Sequence, residues 1–145
     1  MKVSLGSDHA GYELKEAIKK HLLQEGYEVI DEGTHSLESC DYPDFASKAA
    51  HDVVEGRAQF GILCCGTGEG ISIAANKIKG IRCGIGYGLE VTKLTRQHNN
   101  ANMIAFGARF MEKEDVLVRV DTFLTTPFEG GRHADRIAKI SNLEK

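Results

Sequence analysis

The sequence predicts an α/β fold, a single-domain three-layer sandwich built on a doubly wound, five-stranded parallel sheet. Two observations carry this. Five short apolar runs alternate with longer segments of helical periodicity, and strands so spaced pair in parallel through helical crossovers. Glycine or proline punctuates most junctions, while no linker, repeat or low-complexity stretch interrupts residues 1–145, so one core serves the whole chain.

The first strand is Lys2–Gly6, with Val3 and Leu5 as its apolar positions. A helix over Tyr12–Gln24 follows, carrying Leu14, Ile18, Leu22 and Leu23 on one face and stopped by Gly26. Tyr27–Asp31 is the second strand. After a polar loop, Pro43 suits the first turn of a helix over about residues 44–55, closed by Gly56. Phe60–Cys65 gives the third strand and a glycine loop leads into a helix of about two turns. Gly80–Gly86 reads as strand four, Leu89–Gln97 as a helix and Met103–Phe106 as strand five. Glu112–Leu124 is amphipathic through Val116, Val120 and Leu124, and a last helix spans Arg132–Leu143. The result is Rossmann-like. Ligands in such open sheets sit beyond the carboxyl ends of the strands, where the strand order reverses.

Bulk properties exclude several function classes. A net charge of −3 offers no basic field for nucleic acid or a membrane surface. No apolar run approaches the roughly 20 residues a spanning helix needs, and Met1–Gly6 is too short and polar for a signal peptide. The expected location is cytoplasmic. The four cysteines, Cys40, Cys64, Cys65 and Cys83, fit no zinc spacing, so no metal is expected and free thiols are. Taken alone, each is best read as a small buried hydrophobe. Cys65 departs from that reading because of the loop it opens.

That loop, Gly66-Thr67-Gly68-Glu69-Gly70, lacks the G-x-G-x-x-G dinucleotide pattern, since position 71 is isoleucine, and it is not a P-loop. Loop amides entering a helix N-terminus have no backbone partner and can cradle an anion, and glycine lets the backbone come close to a ligand. Asp8 and His9 lie after strand one and face the same sheet edge. Asp8 could equally be a helix cap, and His98-Asn99 a helix terminus with imidazolium at the negative end of the dipole. Arg132 and Arg136, four apart, share one helix face that is either solvated or a phosphate clamp. His98 precedes strand five and therefore sits near its amino end. A five-residue strand spans roughly 17 Å, too far for His98 to meet Cys65 within one subunit. A two-fold dimer with active sites between chains would resolve this.

Read together, Gly6-Ser7-Asp8-His9-Ala10-Gly11, Asp41-Tyr42-Pro43, the Cys65–Lys77 stretch, Arg96–Asn102 and Glu129-Gly130-Gly131-Arg132-His133 are specific and cover the chain in order. In these motifs the sequence resembles the type B ribose 5-phosphate isomerases, a family that includes galactose 6-phosphate isomerase subunits and allose 6-phosphate isomerases. The resemblance implies aldose–ketose interconversion of ribose 5-phosphate and ribulose 5-phosphate in the pentose phosphate pathway, without metal or cofactor. It implies Cys65 as the base moving a proton between C2 and C1, and the amides of Gly66–Gly70 as the hole for the enediolate oxygen. Thr67 and His98 match residues that open the sugar ring, and Asp8 lies by the sugar hydroxyls. His9, Arg132 and Arg136, with Arg109, match a phosphate set, while Tyr42 and Asn99 match substrate contacts. Glu69 departs from the cysteine-type loop and is read as solvent-facing. The resemblance implies a homodimer, with a tetramer as the larger option, sites shared between chains, and a last helix that serves the dimer and the phosphate. Six-carbon substrates remain the alternative, with small Ser7 and Gly11 as candidates for widening the pocket. A non-catalytic sugar-phosphate sensor would be expected to lack Cys65 or His98.

Overall fold

A computed structural model describes residues 1–144. Its strands are β1 (Lys2–Ser7), β2 (Glu28–Asp31), β3 (Phe60–Cys65), β4 (Cys83–Ile85) and β5 (Met103–Gly107). Its helices are α1 (Tyr12–Gln24), α2 (Tyr42–Val54), α3 (Glu69–Asn76), α4 (Leu89–Gln97), α5 (Lys113–Thr125) and α6 (Arg132–Ser141). The strands form one parallel sheet in the order β2-β1-β3-β5-β4.

Strand alternation sorts the core into two layers. Val3, Leu5, Ile62, Ile104 and Phe106 point towards α1 and α5, where they meet Ile18, Leu22, Val120 and Phe123. Leu63, Met103 and Ala105 point the other way, onto Ala46, Ala49 and Ala50 of α2 and Ile71 and Ala75 of α3. Helix α4 packs on α5. Each reversal of direction across the sheet thus moves the crossover helix to the other face, as right-handed connections require. The chain leaves β1 towards β2 and leaves β3 in the opposite direction, which makes the gap between β1 and β3 the switch point.

Several boundaries shift by a residue or two from the sequence expectation, and that of β4 by more. Helix α2 begins at Tyr42, with Pro43 in its first turn. Strand β4 keeps only Cys83–Ile85 of the expected Gly80–Gly86. Gly80 lies at φ +92°, a left-handed turn, and the Arg82 amide donates to the Asn102 side chain instead of a ladder.

One buried polar contact joins β1 to α2. Asp52, 2% exposed, accepts hydrogen bonds from Ser4 Oγ and Arg57 Nε, both at 2.8 Å. Burial pushes the Asp52 carboxyl up, but hydrogen bonds from Glu32, Arg57 and Ser4 outweigh it and hold it below the usual range. Glu32 carries the shared proton. Its hydrogen bond to Asp52, with burial, raises it to about 7. The folded state therefore binds this proton at pH values where the unfolded state has released it, so stability falls as pH rises through 7. Thermal melts between about pH 5 and pH 8 should show this fall in the wild type and a flatter profile in Glu32→Gln, which keeps a donor but does not titrate.

Candidate active site

The adjacent thiols on β3 point to opposite faces of the sheet. Cys64 is wholly buried in the α1/α5 layer, and burial keeps its thiol protonated by pushing it up. Cys65, 4% exposed, faces the α2/α3 layer at the carboxyl end of β3, and its Sγ accepts the Gly68 amide at 3.1 Å. That contact holds the sulfur against the loop that enters α3.

Sterics set the loop that follows. Gly68 caps α3 at φ +85°, a conformation that side-chain-bearing residues rarely adopt. A Cβ on Gly107, at the end of β5, would lie 2.3 Å from the Thr67 carbonyl oxygen, so only glycine lets the loop rest there. The Glu69 amide donates to Thr67 Oγ1 at 3.1 Å, and the Glu69 side chain faces solvent as expected. The amide row is therefore partly committed, to sulfur and to threonine. Among the described residues, the amides of Gly66, Thr67 and Gly70 have no partner and can receive a ligand oxygen.

The other residues on this edge converge on that loop. The Arg109 guanidinium lies over Gly66, where a Cβ would meet its Nη1 at 3.0 Å, and the Arg109 amide bonds the Gly66 carbonyl. The Tyr42 ring, at the start of α2, covers Gly70. Asp8 is 7% exposed, and its Oδ1 accepts the Gly11 amide at 3.0 Å in the turn ahead of α1; the cap position itself is Gly11, so Asp8 is not the helix cap. His9 is half-buried, and its Nδ1 accepts the Cys40 amide at 3.2 Å. Gly11 does not widen a pocket. A Cβ there would lie 2.3 Å from the Cys64 carbonyl oxygen, so β3 already fills that space. Ser7 is fully buried with an unpartnered hydroxyl.

A second group lies at the opposite end of the sheet. His98 caps the carboxyl end of α4, and the amino end of β5 follows, where the Asn102 carbonyl accepts the Gly61 amide. The His98 ring stacks on His133 of α6, with centroids 4.3 Å apart and planes 12° from parallel. Glu129 Oε1 stands 3.9 Å from His98 Nε2 and 3.6 Å from His133 Nε2. Burial, then His98 and Arg132, hold His133 below the usual imidazole range. Arg132 and Arg136 are exposed beside it, as is Asn99, whose carbonyl accepts Arg82 Nε at 3.1 Å. Buried Arg96 braces this segment, donating to Asn100 Oδ1 and to the carbonyls of Ala101 and Thr126.

His133 and Glu129 belong to the quoted motifs, but sequence reasoning gave neither a role. Their i, i+4 spacing was the available signal. With His98 they place three potential metal-ligand atoms within 4.8 Å of one another. The rings are nearly parallel, however, so their in-plane lone pairs run side by side and do not converge as tetrahedral coordination requires. His21, Glu25 and Asp121 form another such group, as a polar contact between α1 with its cap and α5.

One chain therefore gathers Asp8, His9, Tyr42, Cys65, Gly66, Thr67, Gly68, Glu69, Gly70 and Arg109 at one edge. It leaves His98, Asn99, Arg132 and Arg136 at the other, across a five-residue β5. A cleft of about 610 Å³ lies away from Cys65; it runs between α3, β4 and the end of α6, past Lys77, Arg82, Asn99 and Ile140. No helix among the described residues is long and apolar enough to cross a membrane.

Comparison with known proteins agrees with the motifs. Residues 3–140 match the family model described as Ribose/Galactose Isomerase. Ribose-5-phosphate isomerase B of Escherichia coli strain K12 is 46% identical over 144 residues, covering 99% of this chain and 97% of that protein. The ribose-5-phosphate isomerase B structure from Clostridium thermocellum superposes with a TM-score of 0.98 at 50% identity, covering 99% of this chain and 97% of that one. The Mycoplasma genitalium ribose-5-phosphate isomerase B, solved with bound ribulose-5-phosphate, gives a TM-score of 0.95 at 40% identity over 99% of this chain and 95% of that one. The shared fold, the matching length and these identities agree from end to end, and the chain belongs to the ribose/galactose isomerase family.

Proposed function

We propose that this protein is a sugar-phosphate aldose–ketose isomerase that interconverts ribose 5-phosphate and ribulose 5-phosphate. The observation that carries the reading is the Cys65 sulfur at the switch point, held by the Gly68 amide beside the open amides of Gly66, Thr67 and Gly70. The hard step is removing a weakly acidic proton next to a carbonyl. Cys65, as thiolate, takes the C2 proton of the open-chain aldose. The electron pair left at C2 forms the C1–C2 double bond, and the carbonyl electrons move to O1, giving the enediolate. Preorganised amides stabilise that oxygen, and one such donor is typically worth about 10²–10³ in rate. The O2 hydroxyl proton then passes to O1, its electron pair forms the C2 carbonyl, and the C1–C2 π pair takes the proton back from Cys65 at C1, which completes the ketose. Before this step the furanose must open, and Thr67 and His98 move the protons between the anomeric hydroxyl and the ring oxygen.

His98 lies at the far end of β5 from Cys65, which supports a homodimer in which each active site takes Cys65 and its loop from one chain and His98, Asn99, Arg132 and Arg136 from the other. Those arginines and His9 then hold the phosphate, and binding energy remote from the reacting carbons positions them. The reading places the reaction in the cytoplasm, within the pentose phosphate pathway. Turnover of ribose 5-phosphate, allose 6-phosphate and galactose 6-phosphate, measured side by side, tests the substrate assignment. Ribose 5-phosphate should have the highest kcat/KM by about tenfold or more. A six-carbon sugar that equals or exceeds it would overturn the assignment.

A further inference from the structure

We infer that the backbone amide of Cys40 is a positioning group that fixes His9 as the neutral tautomer with its proton on Nε2. The inference rests on the proposed role of His9 as a phosphate ligand. A backbone N–H can only donate, so the 3.2 Å contact from the Cys40 amide makes Nδ1 the acceptor. A neutral imidazole that accepts at one nitrogen carries its proton on the other. Nε2–H is then a donor of fixed direction on the edge that also carries Asp8 and Arg109.

The loop that presents the amide is held at both ends. At its start, the Ser7 amide donates to the Gly33 carbonyl at 2.7 Å and the Thr34 amide to the Ser7 carbonyl at 2.8 Å. The Gly33 amide donates to Asp31 Oδ1 at 3.0 Å, and Lys15 Nζ, on a side chain only 1% exposed, holds the same oxygen at 2.7 Å. At its end, Tyr42 opens α2 and lies against Gly70. Residue 40 is thus suspended between two anchors on the catalytic edge, and its amide is set before ligand arrives.

Nitrogen-15 NMR of the full-length wild-type protein tests this directly. Expected are a protonated Nε2 and an unprotonated Nδ1 for neutral His9, with a scalar coupling across the N–H···N bond linking the Cys40 amide nitrogen to Nδ1. A neutral His9 protonated on Nδ1 would overturn the inference. Kinetics supply the second readout. Cys40→Ala keeps the amide and should keep both the tautomer and KM. Cys40→Pro removes the N–H and should lose the tautomer preference, raising KM for ribose 5-phosphate about tenfold, the effect of one hydrogen bond to a charged group, with kcat little changed. An unchanged KM in a Cys40→Pro variant that is folded by circular dichroism would also overturn it. If Cys40→Pro does not fold, the wild-type spectrum decides alone. Absence of any isomerase activity would instead defeat the functional reading and leave the tautomer measurement standing.

Discussion

Cys65→Ser should lower turnover of ribose 5-phosphate by about 10³-fold or more while the fold survives, because a positioned general base contributes about 10²–10⁴. The serine hydroxyl can still accept the Gly68 amide that the sulfur accepts at 3.1 Å, so the loop entering α3 keeps that contact. It cannot act as an anionic base near neutrality. Binding should persist, since the phosphate contacts lie elsewhere. The measurement is kcat and KM beside calorimetric affinity for ribose 5-phosphate, with Cys64→Ser as the control. Cys64 points into the opposite core layer and should be dispensable for chemistry, at some cost in stability.

Gly107→Ala should cost about 2–3 kcal/mol, the upper range for overpacking, and reduce activity with it. The added methyl would stand 2.3 Å from the Thr67 oxygen, 2.5 Å from its carbonyl carbon and 2.9 Å from its Cα, all backbone. Nothing there can rotate away. Relief must come from lifting the Gly66–Gly68 loop, which carries amides proposed to hold the enediolate. Gly84→Ala is the informative comparison. Its Cβ would first meet Thr95 Oγ1, at 2.5 Å, the tip of a side chain that can turn. Chemical denaturation of the two variants should rank Gly107→Ala as clearly the less stable.

Local pattern was enough to place the strands and helices, because each layer here repeats a simple rule: alternate apolar positions on β1, near-continuous apolar runs on β3 and β5, and i, i+4 faces on α1 and α5. Strand four was overextended for the same reason. Ile81, Cys83 and Ile85 alternate, but the turn at Gly80 and the Asn102 contacts to Arg82 and Gly80 end the pairing early. The edge proposed as catalytic was legible because Asp8 directly follows β1 and Cys65 ends β3. So was the separation of His98 from it, since chain order alone puts His98 before β5. What stayed hidden depends on docking between remote segments. The His98–His133 stack needs α6 to return across the end of α4, and the Glu32–Asp52 proton needs β2 to meet α2. Gly11 was misread because a small residue looks like open space until the neighbouring backbone is known to occupy it.

The division of the site between two chains is best tested by mixing. Cys65→Ser and His98→Asn, each strongly impaired alone, place their lesions in different halves of the proposed site. Random pairing makes half of the dimers mixed, and each mixed dimer joins one intact Cys65 to one intact His98, so activity should return to about a quarter of the wild-type level. If mass spectrometry shows mixed dimers forming and no activity returns, the site is completed within one chain and the account is wrong.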